Sequence, residues 1–408
     1  MILLSKDLFH YGVPVHRLEY LLESVGESIG LPCSFFTLPN FIMMSIQYQN
    51  DHKTYLLKQG QNFHMGKLSM VNDLCHELLN GRKTIEDSIV DLKQIREKSS
   101  LNKWSFMFLY PATSWLLCLI GFNGTWMDAL LSFTMGIIVG AFQILAIDFP
   151  TTFGYLFEFL SALVVAVFTN AAYILYSNYG YCIQTQKIML SALVILLPGL
   201  FLTLSIVEIS TRNVVCGTVR LASSLFTALL LGFGLAFGDY LVVTKAPSTC
   251  PNQSAIPWPY MVVLVPLAGF LICILFEARR SQWLVMVVVS SMGFLTNTAL
   301  NNSGIFGNNA GASSAIATFV IGIASNIYAR FTRDVSIAPI LCGILMLVPG
   351  SIGVKSTLEF FGNESQGEHL ASAMLQISLS ITVGLFLATL LVWPIKGRGP
   401  SSTKYMIY

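Results

Sequence analysis

The chain has 408 residues, of which 54% are hydrophobic and only 11% are charged, and its formal net charge is +2. A soluble domain carries about 25% charged residues, so water could not keep most of this chain in solution. The small net charge and the lack of a dense basic cluster exclude a nucleic-acid partner.

The charge is concentrated at one end. Residues 1–100 hold 21 of the 44 charged side chains, and the other 308 residues hold 23. Residues 1–100 therefore read as a small soluble α/β domain. Met1–Leu4 is apolar, but Lys6, Asp7 and His10 follow at once, so no secretory leader is expected and the domain is assigned to the cytosol. Pro14–Ile29 predicts an amphipathic helix with Val15, Leu18, Leu22, Val25 and Ile29 on one stripe and Gly30 as its stop. Cys33–Leu38, Phe41–Tyr48 and Lys53–Gln59 predict strands, separated by Pro39-Asn40 and Asn50-Asp51. Helices are expected over Leu68–Asn80 and Thr84–Lys98. In the second, Thr84 and Asp87 resemble a capping box, and Ile85, Ile89 and Leu92 form the expected buried stripe. His16 and Glu19, three apart with Arg17 between them, suit either a metal or acid–base site or plain ion-pair and packing contacts. The eight cysteines form no CxxC pair, so no zinc site is signalled. No P-loop, dinucleotide fingerprint or nucleophile elbow occurs, so neither a cofactor nor enzymatic activity is expected.

From Trp104 onward, ten stretches are long and apolar enough to cross a membrane as helices. They lie near 104–122, 126–147, 153–176, 188–207, 221–243, 259–276, 283–300, 312–329, 336–352 and 370–393, followed by a tail at 394–408. With the soluble domain inside, the inner loops and tail carry Arg212, Arg220, Arg279, Arg280, Arg330, Arg333, Lys396, Arg398 and Lys404. The outer loops carry Lys187, Lys245 and Lys355. This is the positive-inside pattern, with both termini cytosolic. The sequons at Asn123, Asn252, Asn301 and Asn363 all fall in outer loops, where the last three are candidate glycosylation sites. Cys182 and Cys250 also fall there, as a disulfide or as two free thiols.

The polar linker Thr244–Pro257 divides the spans into five and five, 104–243 and 259–393. The fourth span of each half contains Pro-Gly, at Pro198-Gly199 and Pro349-Gly350, and the third contains an asparagine, Asn170 or Asn326. A repeated unit with an odd number of spans enters the membrane from opposite sides. That is the inverted-repeat plan of secondary transporters, with the solute site at broken helices. Pro-Gly either breaks the helix to line such a site or makes a kink repaired by its neighbours. Asn170, Asn297 and Asn326 can bind a zwitterion or join helices, and Asn297, alone of the three, is read as joining helices. Glu158, a few residues into the third span, is a candidate proton- or cation-responsive group or a span-end residue. No histidine lies in any span.

Gly12-Val13-Pro14-Val15-His16-Arg17-Leu18-Glu19 resembles the signature that opens the threonine/serine exporter family. Glu208, Arg212, Asn213, Gly217 and Arg220, following Pro198-Gly199, match a second family element, and the five-plus-five spacing matches throughout. The wording is closest to the fungal branch, the pheromone-regulated membrane proteins. The resemblance implies an ion-gradient-driven exporter of small amino acids, with a cytosolic N-terminal domain and ten spans. Arg212 and Arg220 would then hold a substrate carboxylate at the inner mouth, or simply anchor orientation. The partners expected are a small amino acid, the lipid bilayer and a coupling ion, in the plasma or vacuolar membrane; a homo-oligomer is compatible with all of this. The alternative is a non-transporting membrane scaffold that acts through its cytosolic domain.

Overall fold

In the computed structural model of the chain, the described residues are 1–48, 51–98, 100–149, 154, 156–242, 257–304, 306, 310–332, 334–347, 354 and 367–393. The linker up to residue 256, Pro349, Gly350, Cys250, Asn252, Asn363, Arg333 and the tail from 394 lie outside them.

The N-terminal domain opens with α1 (Ile2–His10), a helix the sequence reading does not include. Its signal is the i, i+4 pair Leu4 and Leu8, both buried together with Phe9. Asp7 then serves as the contact to Arg96 Nη2, at 2.7 Å. α2 (Val15–Ser28) buries Val15, Leu18, Leu22 and Val25 completely, on the stripe expected from their spacing. β1 (Cys33–Leu38), β2 (Phe41–Tyr48) and β3 (Asp51–Lys58) form an antiparallel sheet in that order. Asn40, in the left-handed region at φ 67°, turns β1 into β2. Phe35, Ile42, Met44 and Leu57 point inward from the sheet.

α3 (Met65–Leu79) and α4 (Ile85–Glu97) complete the domain. Thr84 caps α4 as expected, its Oγ1 accepting from Asp87 N–H at 3.2 Å. The expected stripe on α4 needs correction. Leu92 is buried, but Ile85 and Ile89 are exposed, and the inward face is Ser88, Leu92 and Ile95. The first turn of α4 is left uncovered, so Ile85 stays exposed although it shares a side with Leu92.

The apolar part contains α5 (Phe106–Ile120), α6 (Trp126–Asp148), α7 (Phe157–Asn178), α8 (Thr185–Ala192), α9 (Gly199–Ser210) and α10 (Val214–Leu241) before the linker. After it come α11 (Trp258–Leu275), α12 (Arg280–Ser303), α13 (Ala310–Thr332), α14 (Ile337–Leu347) and α15 (Gly367–Val392). Among the described residues, six helices are long and apolar enough to cross a membrane, or seven when the bent pair α8 and α9 counts as one span. α11 and α14 are shorter apolar helices, and α5 has 15 residues. α10 starts seven residues before the expected 221, because Asn213 and not the basic Arg220 begins the helix.

Each expected five-span half shows the same neighbours. Taking α8 and α9 together as the fourth element, first packs on second, second on third and fourth, and third on fifth, in both halves. Third and fifth approach closely because small residues lie between them. A Cβ on Gly238 would sit 2.4 Å from the Ala166 Cβ, and one on Gly322 would sit 2.5 Å from the Ala388 Cβ. Between the halves, α5 packs on α11, and α9 on α14 and α15.

The soluble domain's core is continuous with that of the second half. Met65 N–H donates to Phe276 O at 2.9 Å and Gly66 N–H to Glu277 O at 3.0 Å. Asp334, between α13 and α14, accepts from Ser69 at 2.9 Å, Gln282 at 2.9 Å and Tyr328 at 3.0 Å. One carboxylate thus ties α3 to two membrane helices.

Candidate functional site: a cavity between the two halves

The break between α8 and α9 follows from the sequence. Pro198 clashes with a helical residue before it, so Leu197 is extended at φ −62°, ψ 125°. α9 restarts at Gly199, and Thr185–Ala192 meets the stretch Val194–Ser210 at 57°. The first amides of α9 therefore have no intrahelical acceptor.

This break opens onto a cavity of about 940 Å³. Leu197, Gly199, Leu200 and Phe201 line it from the first half, with Tyr110 and Thr113 of α5 and Gln143 of α6. The second half contributes Met261 of α11, Phe294, Asn297 and Thr298 of α12, Ser314 of α13 and Leu345–Leu347 of α14. The cavity runs the length of the helices, from Leu101, Phe106 and Glu277 at one end to Phe122, Asn123, Asn301 and Asn302 at the other. Its middle is lined by neutral hydrogen-bonding groups on an apolar wall. Asn297, expected from the sequence to join helices, lines the cavity instead, with its Oδ1 buried and without a hydrogen-bond partner.

The soluble domain closes one end with Asn62, Phe63 and His64. The Phe63 ring packs against Phe201 of the first half, centroids 5.6 Å apart, and Phe276 of the second, at 5.9 Å. Beside it, His64 Nδ1 lies 3.3 Å from Glu277 Oε2. Leu101 N–H donates to Glu277 Oε1 at 3.1 Å. Burial pushes the Glu277 carboxyl up, but the His64 contact, the Leu101 amide and the nearby Lys67 outweigh it, and the pKa falls below the ordinary value.

The two sequence elements that carry the resemblance meet just behind Phe63. Arg212, at φ 71°, ends α9 in the left-handed region, and Asn213 N–H returns to Glu208 O at 3.0 Å. Gly217 lets α10 fold back closely, since a Cβ there would lie 2.6 Å from Ile209 Cγ1 and 2.8 Å from Ser205 O. The tight hairpin brings Arg220 Nη1 to 3.2 Å from Glu208 Oε1. Arg220 Nη2 donates to Gln61 Oε1 at 2.5 Å. Gly12, at φ 94°, faces Asn62 O at what would be 2.7 Å from a Cβ. Gly12, Glu208 and Arg220 therefore converge on residues 61–63.

Other expected site residues go elsewhere. Glu19 accepts from the Thr37 amide at 3.1 Å and from its hydroxyl, so it secures β1; burial raises its pKa despite these bonds. Arg17 donates to Asn72 at 3.3 Å. Among the described residues, no cluster of three His, Cys, Asp or Glu is arranged to hold a metal. Asn170 donates to Asp239 at 2.6 Å between α7 and α10. Asn326 donates to Thr389 at 3.4 Å between α13 and α15. Glu158, half-buried in the first turn of α7, and exposed Arg212 do not line the cavity. Cys182 is disulfide-bonded.

Residues 1–242 match the family described as threonine/serine exporter, and residues 261–391 match a second description, threonine/serine exporter, ThrE. An uncharacterized protein of Schizosaccharomyces pombe is 27% identical over 97% of this chain and 55% of its own length. Pheromone-regulated membrane protein 10 of Pichia sorbitophila is 24% identical over 98% of this chain and 42% of its own. The protein of that name in Kluyveromyces lactis is 26% identical, over 96% and 43%. The chain thus spans about half the length of these curated relatives. No solved structure matches it.

Proposed function

Since the chain belongs to the threonine/serine exporter family, we propose that it exports small neutral amino acids such as threonine and serine through the cavity between its halves. The observation that carries this reading is the cavity itself, walled by both halves and opened by the broken α8–α9 element. A zwitterion has no net charge, which suits a wall whose charged group, Glu277, lies at one end beside His64. The free amides of α9 would face the solute carboxylate, and Asn297 Oδ1 would accept from its ammonium.

Alternating access would rock one half against the other around this site. The repeated neighbour pattern of the two halves supports an inverted repeat of ten spans, with α5, α11 and α14 completing the count. Arg212, Arg220, Arg279 and Arg280 lie on the face that carries the soluble domain. That supports a cytosolic domain and cytosolic termini, in a plasma or vacuolar membrane.

The test is efflux of preloaded radiolabelled threonine and serine from sealed vesicles containing the purified chain, with and without a proton gradient. Saturable, gradient-dependent efflux is expected, and Pro198→Ala should lower it without impairing membrane insertion. Lack of flux for any small amino acid, from folded protein, would reject transport in favour of a scaffold acting through the soluble domain.

A further inference from the structure

We propose that Glu208 is the proton-binding residue of this exporter, with Arg220 divided between it and Gln61 as the proton comes and goes. The assignment rests on the transport reading above. Glu208 stands in the last turn of α9 at 2% exposure. Neither carboxyl oxygen has an N–H or O–H hydrogen-bond donor. Its ion-pair partner Arg220, 3.2 Å away, gives its aligned hydrogen bond to Gln61 instead. A buried carboxylate that accepts only from the Cys216 thiol is costly as an anion, and the desolvation of both ions offsets much of the attraction of Arg220. Such a group favours exchange of a proton over permanent ionisation.

Access supports the same residue. Glu208, Arg220, Gln61 and Gly12 line a void of about 10 Å³, about the size that holds one water molecule. Phe63 lines both this void and the large cavity, so displacement of one ring would join proton site and solute site. The titratable groups facing Glu208 are Arg220 and the Cys216 thiol, both on α10. Glu19 of α2 acts on Cys216 from farther away. Gln61 from the soluble domain is neutral, and α14 presents Ile337 and Leu341. The described side chains of α15, from Met374 on, include no titratable group.

The other membrane carboxyls are occupied or remote. Asp128, fully buried, accepts from Thr125 and from the Gln184 amide. Asp239 is bonded by Asn170. Glu158 lines neither space.

In the cycle, a proton arriving from the outward-open cavity binds a Glu208 oxygen and neutralises it, leaving Arg220 on Gln61. When the inner side opens, the proton leaves to the cytosol and the Glu208–Arg220 pair re-forms. One proton enters for each amino acid that leaves, and no electron moves.

The experiment measures threonine efflux from proteoliposomes of the full chain, as the ratio of flux with to flux without an inward proton gradient. Glu208→Gln should lose the stimulation, and Glu208→Asp should keep it with a shifted pH of half-stimulation. Full stimulation in Glu208→Gln, or an unshifted profile in Glu208→Asp, overturns the assignment and leaves export standing. Where Glu208→Gln fails to fold, the aspartate variant decides alone. Absent flux from folded wild-type protein rejects export itself. Infrared titration of the purified protein then judges Glu208 separately. A titrating carboxyl band present in wild type and missing in a folded Glu208 variant supports proton binding there, and identical spectra overturn it.

Discussion

At Gly66 the backbones of the soluble and membrane domains touch: an added Cβ would lie 2.6 Å from Glu277 O and 3.3 Å from Arg279 N. Neither neighbour is a flexible side-chain end, so the contact cannot yield cheaply. Gly66→Ala should destabilise the docked protein by about 1–3 kcal/mol, the usual cost of overpacking, read as a lower Tm. Gly60, which has nothing within 4 Å of a Cβ, serves as the control, with a change within about 0.5 kcal/mol. Two asparagines make a sharper pair. Asn170→Ala would strip Asp239 of its donor and should cost about 1–3 kcal/mol of stability. Asn297 leaves no partner behind, so Asn297→Ala should raise the KM for threonine with little change in Tm. Read from the sequence, Asn170 belongs with the pathway and Asn297 with the residues that join helices. What separates them is which neighbour each helix face meets, and that is a tertiary fact.

At the scale of elements, most of the molecule was legible because its signals are local. The α2 stripe, the Thr84 cap and the Leu197-Pro198-Gly199 break each follow from residues within one or two turns. The stripe on α4 misleads because exposure depends on how far α1 and α3 extend over it. Helix ends in the membrane part drifted for a related reason. α10 begins seven residues before its apolar run, since the Glu208–Arg220 pair lets a charged turn enter the bundle. The third–fifth packing through Gly238 and Gly322 occurs in both stretches, a tertiary contact that no motif in the sequence marks.

For the whole molecule, the sequence separated a soluble piece from an apolar one but carried no sign of how they join. The joint is made by residues 61–66, a stretch with no motif of its own, together with Ser69 on Asp334 and Asp73 on Arg279. Glu277 makes it sensitive to acid. Its folded pKa lies below the ordinary glutamate value, so its contribution is fully present above the unfolded pKa and is lost as pH falls through the folded one. Hydrogen exchange at the Met65 and Gly66 amides should therefore be protected at neutral pH and become less protected in that acidic window. Glu277→Gln should show no such step there, and a step unchanged from wild type would place its cause in another group.

The backbone hydrogen bonds from Met65 and Gly66 to Phe276 and Glu277 also connect the two stretches that match the family separately, residues 1–242 and 261–391. A chain severed in the intervening linker would not leave two independent modules. The first fragment would carry the lid for a chamber whose far wall is on the second, and each would expose apolar surface along α5, α9 and α11 until they met. Co-production, and not later mixing, is then the natural route to a working split protein, and a hybrid built from two relatives would have to take residues 61–66 and 276–279 from the same parent.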